Sequence, residues 1–184
     1  MDAQTHPAIR LREDLYQLGT NKFPVYLSLG EAGLLIEGGT SPTAGLIAQQ
    51  VASLGLAPER IRYLALTHTH ADHIGAVPRL RQLWPHLELV AGQKAAAHLA
   101  SDKALEQFLA ADRMIQKIFV SHGQLDSPLP ELETYDFRVD RVLAQGESLD
   151  LGRGVVWTAH ETPGHSACHL AYHAAGQGVA ALGD

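Results

Sequence analysis

The sequence has a single cysteine, Cys168, which excludes an internal disulfide. It has no apolar run near the ~18 residues that a bilayer-spanning helix needs. Basic residues are few: 14 Lys and Arg stand against 20 Asp and Glu, for a net charge of −6 with histidine neutral. That balance weighs against a nucleic-acid partner, because phosphate contacts need clustered cations. The first residues, MDAQTHPAIRLR from Met1 to Arg12, lack the apolar core of a secretory signal. Together these absences predict a protein with no membrane segment and a cytoplasmic location. The Gly38-Gly39 pair is read as a turn, since no GxxxxGKS/T phosphate loop is present. At 184 residues the chain is long enough for one domain with a sizeable core. What it has in excess is histidine, 11 in all, several close together.

The apolar runs at 25–29 (VYLSL) and 33–36 (GLLI) flank Gly30-Glu31-Ala32 and predict a hairpin. After the turn Glu37-Gly38-Gly39-Thr40, Ser41-Pro42 is a good helix start. Leu46, Ile47, Val51 and Leu54 then recur at helical spacing, with Gly55 as a stop. Residues 61–66 (IRYLAL) read as a buried strand, 75–84 as a helix and 87–90 as a strand. This succession predicts a layered α/β architecture. From Gln93 to about Val120 the apolar positions Leu99, Leu105, Phe108, Leu109, Ile115, Ile118 and Phe119 keep helical spacing. Short strands are expected again at 147–151, 155–159, 169–173 and 178–182.

The densest chemistry is Thr67-His68-Thr69-His70-Ala71-Asp72-His73-Ile74-Gly75, directly after a predicted buried strand. The carboxyl end of such a strand is where α/β folds place their sites. Imidazole and carboxylate suit zinc, and also iron or manganese. His68 and His70, two apart, can reach one metal, while Asp72 and His73 lie further round the turn, within reach of a second. Gly75 is expected to let the backbone turn tightly.

The motif HxHxDH, here His68-His70-Asp72-His73, resembles the signature of the metallo-β-lactamase superfamily. The hairpin and the turn at Glu37, where the family often has Asp, resemble its opening. Thr162-Pro163-Gly164-His165 resembles its second ligand motif, and Leu182-Gly183-Asp184 the motif ending in a bridging aspartate. The resemblance implies one α/β domain over residues 1–184, a four-layer αββα sandwich with a helical insert at 93–140. It implies two divalent metal ions, zinc foremost. His68, His70 and His165 would hold the first, Asp72 and His73 the second, and Asp184 would bridge them. The family's further metal-ligating histidine lies beyond the bridging aspartate. The sequence stops at Asp184, so the resemblance implies a missing C-terminal part and an incomplete second site.

The implied activity is metal-dependent hydrolysis of a small ester, thioester or lactone by a metal-bound hydroxide, with Asp72 orienting the nucleophile or relaying a proton. The expected partner is a small molecule, and a homo-oligomer can form through the insert. The alternatives are a mononuclear iron dioxygenase acting on sulfur compounds, a nuclease of the same fold, and a non-catalytic fragment. His70 speaks against the di-iron flavoprotein branch, which usually has glutamate there. Among the other residues, His169 is expected to orient a metal ligand, Cys168 to be a small buried side chain, and His160 to line the pocket. Trp84 and Trp157 are expected in the core.

Overall fold

A computed structural model describes residues 1–184. Its larger sheet runs in chain order: β1 (Ile9–Arg12), β2 (Leu15–Gly19), β3 (Pro24–Leu29), β4 (Gly33–Ile36), β5 (Ile61–Ala65), β6 (Glu88–Gly92) and β7 (Arg141–Leu143). Pairing is antiparallel from β1 to β4 and parallel from β4 to β7. Each parallel step needs a crossover, and helices supply it. α1 (Ala44–Ser53) lies between β4 and β5 in the chain. α2 (Ala71–Ile74) and α3 (Val77–Leu83) lie between β5 and β6, and α4 (Gln93–Leu99) and α5 (Asp102–Ser121) between β6 and β7. The smaller sheet is antiparallel, in the order β11 (Val179–Ala181), β10 (Leu170–Ala174), β9 (Val156–Glu161), β8 (Ser148–Asp150). No helix is long and apolar enough to cross a membrane.

The layers follow from the two-residue period of the strands. On β4, Leu34 and Ile36 point to one face and Leu35 to the other, and all three are fully buried. Leu34, Ile36, Tyr63 and Ala65 enter a core shared with Leu149, Trp157, Ala159 and Tyr172 of the smaller sheet. Leu35 and Leu64 enter the other core, with Ile47, Val51, Val77, Leu80, Trp84 and Phe108 from the helices. A strand buried on both faces is mainly apolar, which is why GLLI and IRYLAL lack polar alternation, exposed Arg62 being the one exception. Helices, large sheet and small sheet therefore stack in that order around two cores, giving the α, β and β layers of the expected αββα sandwich.

Two strands on one side of the larger sheet, β1 at its edge and β2 beside it, have no clear sequence signal: they are only four and five residues long, and β1 is exposed throughout. The edge strand β7 is only three residues long. Helix fills 93–99 and 102–121, and residues 122–140 carry no helix or strand. Ser101 caps α5 by accepting the Ala104 amide at 3.2 Å.

Candidate metal centre

β4 and β5 are parallel neighbours with Ile36 opposite Ala65, so both carboxyl ends open on one rim. The first residues beyond them are Glu37 on one strand and Leu66-Thr67-His68 on the other. The exit of β5 is pinned to both sheets. The Leu66 amide donates to Val90 O at 2.9 Å. The Tyr172 hydroxyl donates to Leu66 O, and the Leu170 amide to Thr67 O, each at 2.8 Å. Thr67 and His68 are consequently fully buried. His70 precedes α2 in extended conformation, and its carbonyl accepts the His73 and Ile74 amides. That turn brings His73 back beneath His68, with ring centroids 4.0 Å apart.

Gly75 acts differently from the expectation. Its backbone is ordinary right-handed helix (φ −60°, ψ −40°), so no special dihedral is needed. A Cβ there would lie 2.6 Å from Ser41 N and 2.8 Å from Thr40 Cα. The glycine is required for space, because the Gly38-Gly39 turn packs against it. Gly75 N donates to Gly39 O at 2.7 Å, and Gly38 N to His73 O at 2.6 Å.

The three histidines of the expected first site converge. His70 Nδ1 is 3.0 Å from His68 Nε2 and 2.9 Å from His165 Nε2. His165 comes from the β9–β10 loop, which is closed at its base by the Thr162 amide donating to His169 O at 3.0 Å. Asp184 Oδ2 faces two of the histidines, at 3.3 Å from His73 Nε2 and 3.8 Å from His165 Nε2. Asp72 Oδ2 lies 3.8 Å from His73 Nε2. Gly183 lets the chain reach this point: it has φ +69°, and a Cβ would come within 2.5 Å of His169 Nε2.

Sequence reasoning missed Glu37 as part of the site. It is buried with a left-handed backbone, φ +77°. Its Oε1 accepts from the Thr67 hydroxyl, and its Oε2 lies 3.2 Å from His73 Nδ1. The latter contact is short but poorly aligned, a close approach without a completed hydrogen bond. Glu37, His68 and His73 form a second group of side chains whose donor atoms can share a cation. The available signal was an acid at the end of a strand adjacent to the histidine-bearing one.

Protonation follows from the geometry. An ionised Glu37 only accepts, so Thr67 donates to it, and the Thr67 oxygen is left to accept from His68 Nδ1, 3.0 Å away. His68 Nε2 then carries a free lone pair toward His70 and His165. Burial, and then the neighbouring histidines, push the His68 pKa down to about 3. His70 is lowered by burial and by His165. Burial also pulls His73 down, but the contact with Glu37 and the charges of Asp72 and Asp184 outweigh it, so its pKa is raised. Neutral imidazoles with lone pairs facing inward, and carboxylates at their edge, are the donor set that a borderline divalent cation takes.

Three other residues depart from or refine expectation. His169 is buried, and its Nδ1 contacts the Thr162 hydroxyl at 2.8 Å. Its Nε2 has no partner, and it packs beside His68 with ring centroids 5.2 Å apart. His160 lies on the face of β9 opposite Trp157 and Ala159, near Gln145 (3.4 Å). This places it away from the converging histidines. Cys168 is half-buried, 3.1 Å from the Ser166 hydroxyl.

The cluster opens on two clefts. One, about 430 Å³, has Glu37, Asp72, His73 and Asp184 in its wall. The other, about 570 Å³, is bounded by His70, Ser166 and Cys168 and by α4 and α5.

Known proteins resemble this chain to different extents. A metallo-beta-lactamase fold-containing protein of Sulfurisphaera tokodaii is 31% identical over 116 residues, 61% of this chain and 40% of that protein. Ribonuclease J of Mycolicibacterium smegmatis is 34% identical over 83 residues, 45% of this chain but 15% of that protein. Among solved structures, a beta-lactamase from Chitinophaga pinensis superposes with a TM-score of 0.66 at 26% identity, over 90% of this chain and 55% of that one. The chain thus spans about half or less of the length of these proteins. The sequence profile of the metallo-beta-lactamase superfamily matches residues 24–184, and the chain belongs to that superfamily.

Proposed function

We propose that the site is the hydrolytic metal centre of an enzyme acting on a small ester, thioester or lactone. The observation that carries this reading is the convergence of His68 Nε2, His70 Nδ1 and His165 Nε2 on one point beside a cleft. In it, His68, His70 and His165 hold one divalent ion. His73 and Asp72 are donors to a second, with Asp184 between the two. Zinc is the first choice, with iron or manganese as alternatives. Such ions supply Lewis acidity and a water nucleophile at neutral pH.

The chain's own groups prepare the site for this. Thr67 and Glu37 hold His68 in the tautomer whose Nε2 is free. Glu37 keeps His73 Nε2 turned toward Asp72 and Asp184. Asp72 has a half-exposed carboxylate at the cleft wall, able to accept a proton and pass it to solvent. No serine or cysteine nucleophile is needed.

The similarity to a ribonuclease favours a second reading, a nuclease. Against it stands the net charge of −6, since phosphate contacts need clustered cations. Metal analysis of the purified protein, joined to assays with ester, thioester, lactone, β-lactam and phosphodiester probes, separates the readings. Bound divalent metal and turnover of an acyl probe that stops on chelation are expected. Turnover of the phosphodiester alone would favour the nuclease, and a metal-free, inert protein would remove both.

A further inference from the structure

The two clefts differ in charge. Three carboxylates, Glu37, Asp72 and Asp184, and one lysine, Lys22, border the cleft on the His73 side. The cleft on the His70 side has no acidic residue in its lining, although the chain carries 20. Its one charged side chain is Lys94, on α4 just beyond the end of β6. Lys94 is exposed and belongs to none of the ion pairs. His98 follows it by four residues and so shares its helix face, and Gln107 of α5 adds an amide. Thr69 and Ser166 add hydroxyls beside the metal loop, and the rest of the wall is largely apolar, with Leu99, Ala104, Phe108 and Ala111 lining it together with Ala71 and Ile74. A concave apolar chamber with a few polar groups, about 570 Å³ in volume, is within the size range of small-ligand sites.

We propose that this cleft holds the non-reacting arm of the substrate, an aliphatic chain ending in a carboxylate, with Lys94 as its counter-ion. The proposal rests on the hydrolytic reading only for the word substrate; the binding site stands on the cleft itself. Lys94 sets the orientation, because it is the one cation in the lining on the His70 side and no acid there opposes an anionic arm. The scissile carbonyl then lies at the histidine cluster, with the arm along α5. A single ammonium matches a singly charged carboxylate; no arginine fork, which would suit a phosphate, lines the chamber.

Calorimetric titration of the metal-loaded protein with hexanoate and with hexanamide tests the site without catalysis. Hexanoate should bind more tightly than hexanamide. Lys94→Met should weaken hexanoate about fivefold, as for an exposed ion pair, and leave hexanamide unchanged. Ala111→Phe, checked for fold by circular dichroism, should weaken both by filling the chamber. Unchanged hexanoate binding in Lys94→Met would mean that the carboxylate sits on the metal or elsewhere, and would overturn the proposal, as would failure of either ligand to bind the wild type. The phenyl half-ester of glutarate and phenyl butyrate supply the second arm. Lys94→Met should raise KM for the half-ester alone, with kcat preserved. If no ester is cleaved while the hexanoate pattern holds, the hydrolytic reading falls and the site stands. If both esters are cleaved and Lys94→Met treats them alike, the site falls alone.

Discussion

Glu37 Oε2 lies 3.2 Å from His73 Nδ1, and the other oxygen of the same carboxylate accepts from Thr67. One buried acid thus touches the supports of both expected metal positions: His68 through Thr67, and His73 directly. Its φ of +77° is an uncommon conformation for a residue with a side chain, tolerated here because the surroundings fix it.

Glu37→Gln keeps the size and removes the charge. Support of this kind typically contributes about 10- to 100-fold to metal affinity. The expected outcome is therefore metal binding weakened at least about tenfold, with a far-ultraviolet circular dichroism spectrum like the wild type. Competition against a chromophoric chelator measures it. Unaltered affinity would show that His73 needs no anionic partner.

His70→Ala addresses the centre of the first group, since His70 Nδ1 neighbours both other nitrogens. His70 is exposed at the mouth of the loop, and its removal opens no core cavity. Bound metal should fall while the thermal midpoint of the chelated protein stays within about 2–4 °C of wild type, as for a surface change. Full metal retention would remove His70 from the ligand set.

The same geometry fixes a pH dependence for the metal-free protein. His68, His70 and His169 have lowered pKa values in the fold, so the unfolded chain binds their protons first. Their stabilising contribution is fully present above the ordinary histidine value of 6.5 and is lost as pH falls, for His68 down to about 3. His73 acts in the opposite sense, its raised pKa contributing below 6.5 and fading as pH rises through its folded value. Three against one gives a urea midpoint that drops between pH 7.5 and pH 5. A midpoint that rises toward pH 5 would contradict the assigned protonation states.

The fold and the cluster are legible in the sequence to different degrees, for physical reasons. The strands 33–36 and 61–65, apart from exposed Arg62, are buried on both faces and announce themselves as apolar runs. The edge strand β1 is exposed at all four positions and its neighbour β2 is half-buried over most of its length, so neither forms an apolar run. His68, His70, Asp72 and His73 are near one another in the chain, so their spacing is informative. Glu37 lies 30 residues from its partner Thr67, and only the parallel register of β4 and β5 brings the two together. The role of Gly75 is hidden because a sequence displays a glycine's freedom but not the backbone pressed against it.

Helix α5 is fixed to the turn after β4 by a buried carboxylate. Asp112 accepts from the Ser41 hydroxyl and, at 2.6 Å, from Gln116 Nε2. Asp112→Ala strands both donors in a buried setting, at a cost of about 1–3 kcal/mol for an unsatisfied group. The urea midpoint should fall accordingly, and hydrogen exchange along α5 should quicken. Because α5 forms one wall of the His70 cleft, Gln107 and Phe108 would lose their fixed position as well. An unchanged midpoint would show that α5 is held by its apolar face alone.

Two glycine-to-alanine substitutions separate conformational freedom from space. Gly45 lies in α1, where an added methyl group would meet nothing within 4 Å, and Gly75 occupies helical dihedrals with Ser41 N only 2.6 Å from the same position. If backbone preference governed both, each alanine would stabilise by up to about 1 kcal/mol, through lower entropy of the unfolded chain. Only Gly45→Ala should do so. At Gly75 the obstructing atoms are backbone, from Thr40, Ser41 and Ala71, and cannot rotate aside. Gly75→Ala must push the Gly39–Ser41 turn away from the metal loop, costing about 1–3 kcal/mol as overpacking does. Since Gly38 N donates to His73 O, that displacement reaches the ligands, and Gly75→Ala should also bind metal more weakly than wild type. Thermal melts of the two chelated variants should move in opposite directions. If Gly75→Ala were as stable and as metal-avid as wild type, the contact between the two turns would not be what holds His73 in place.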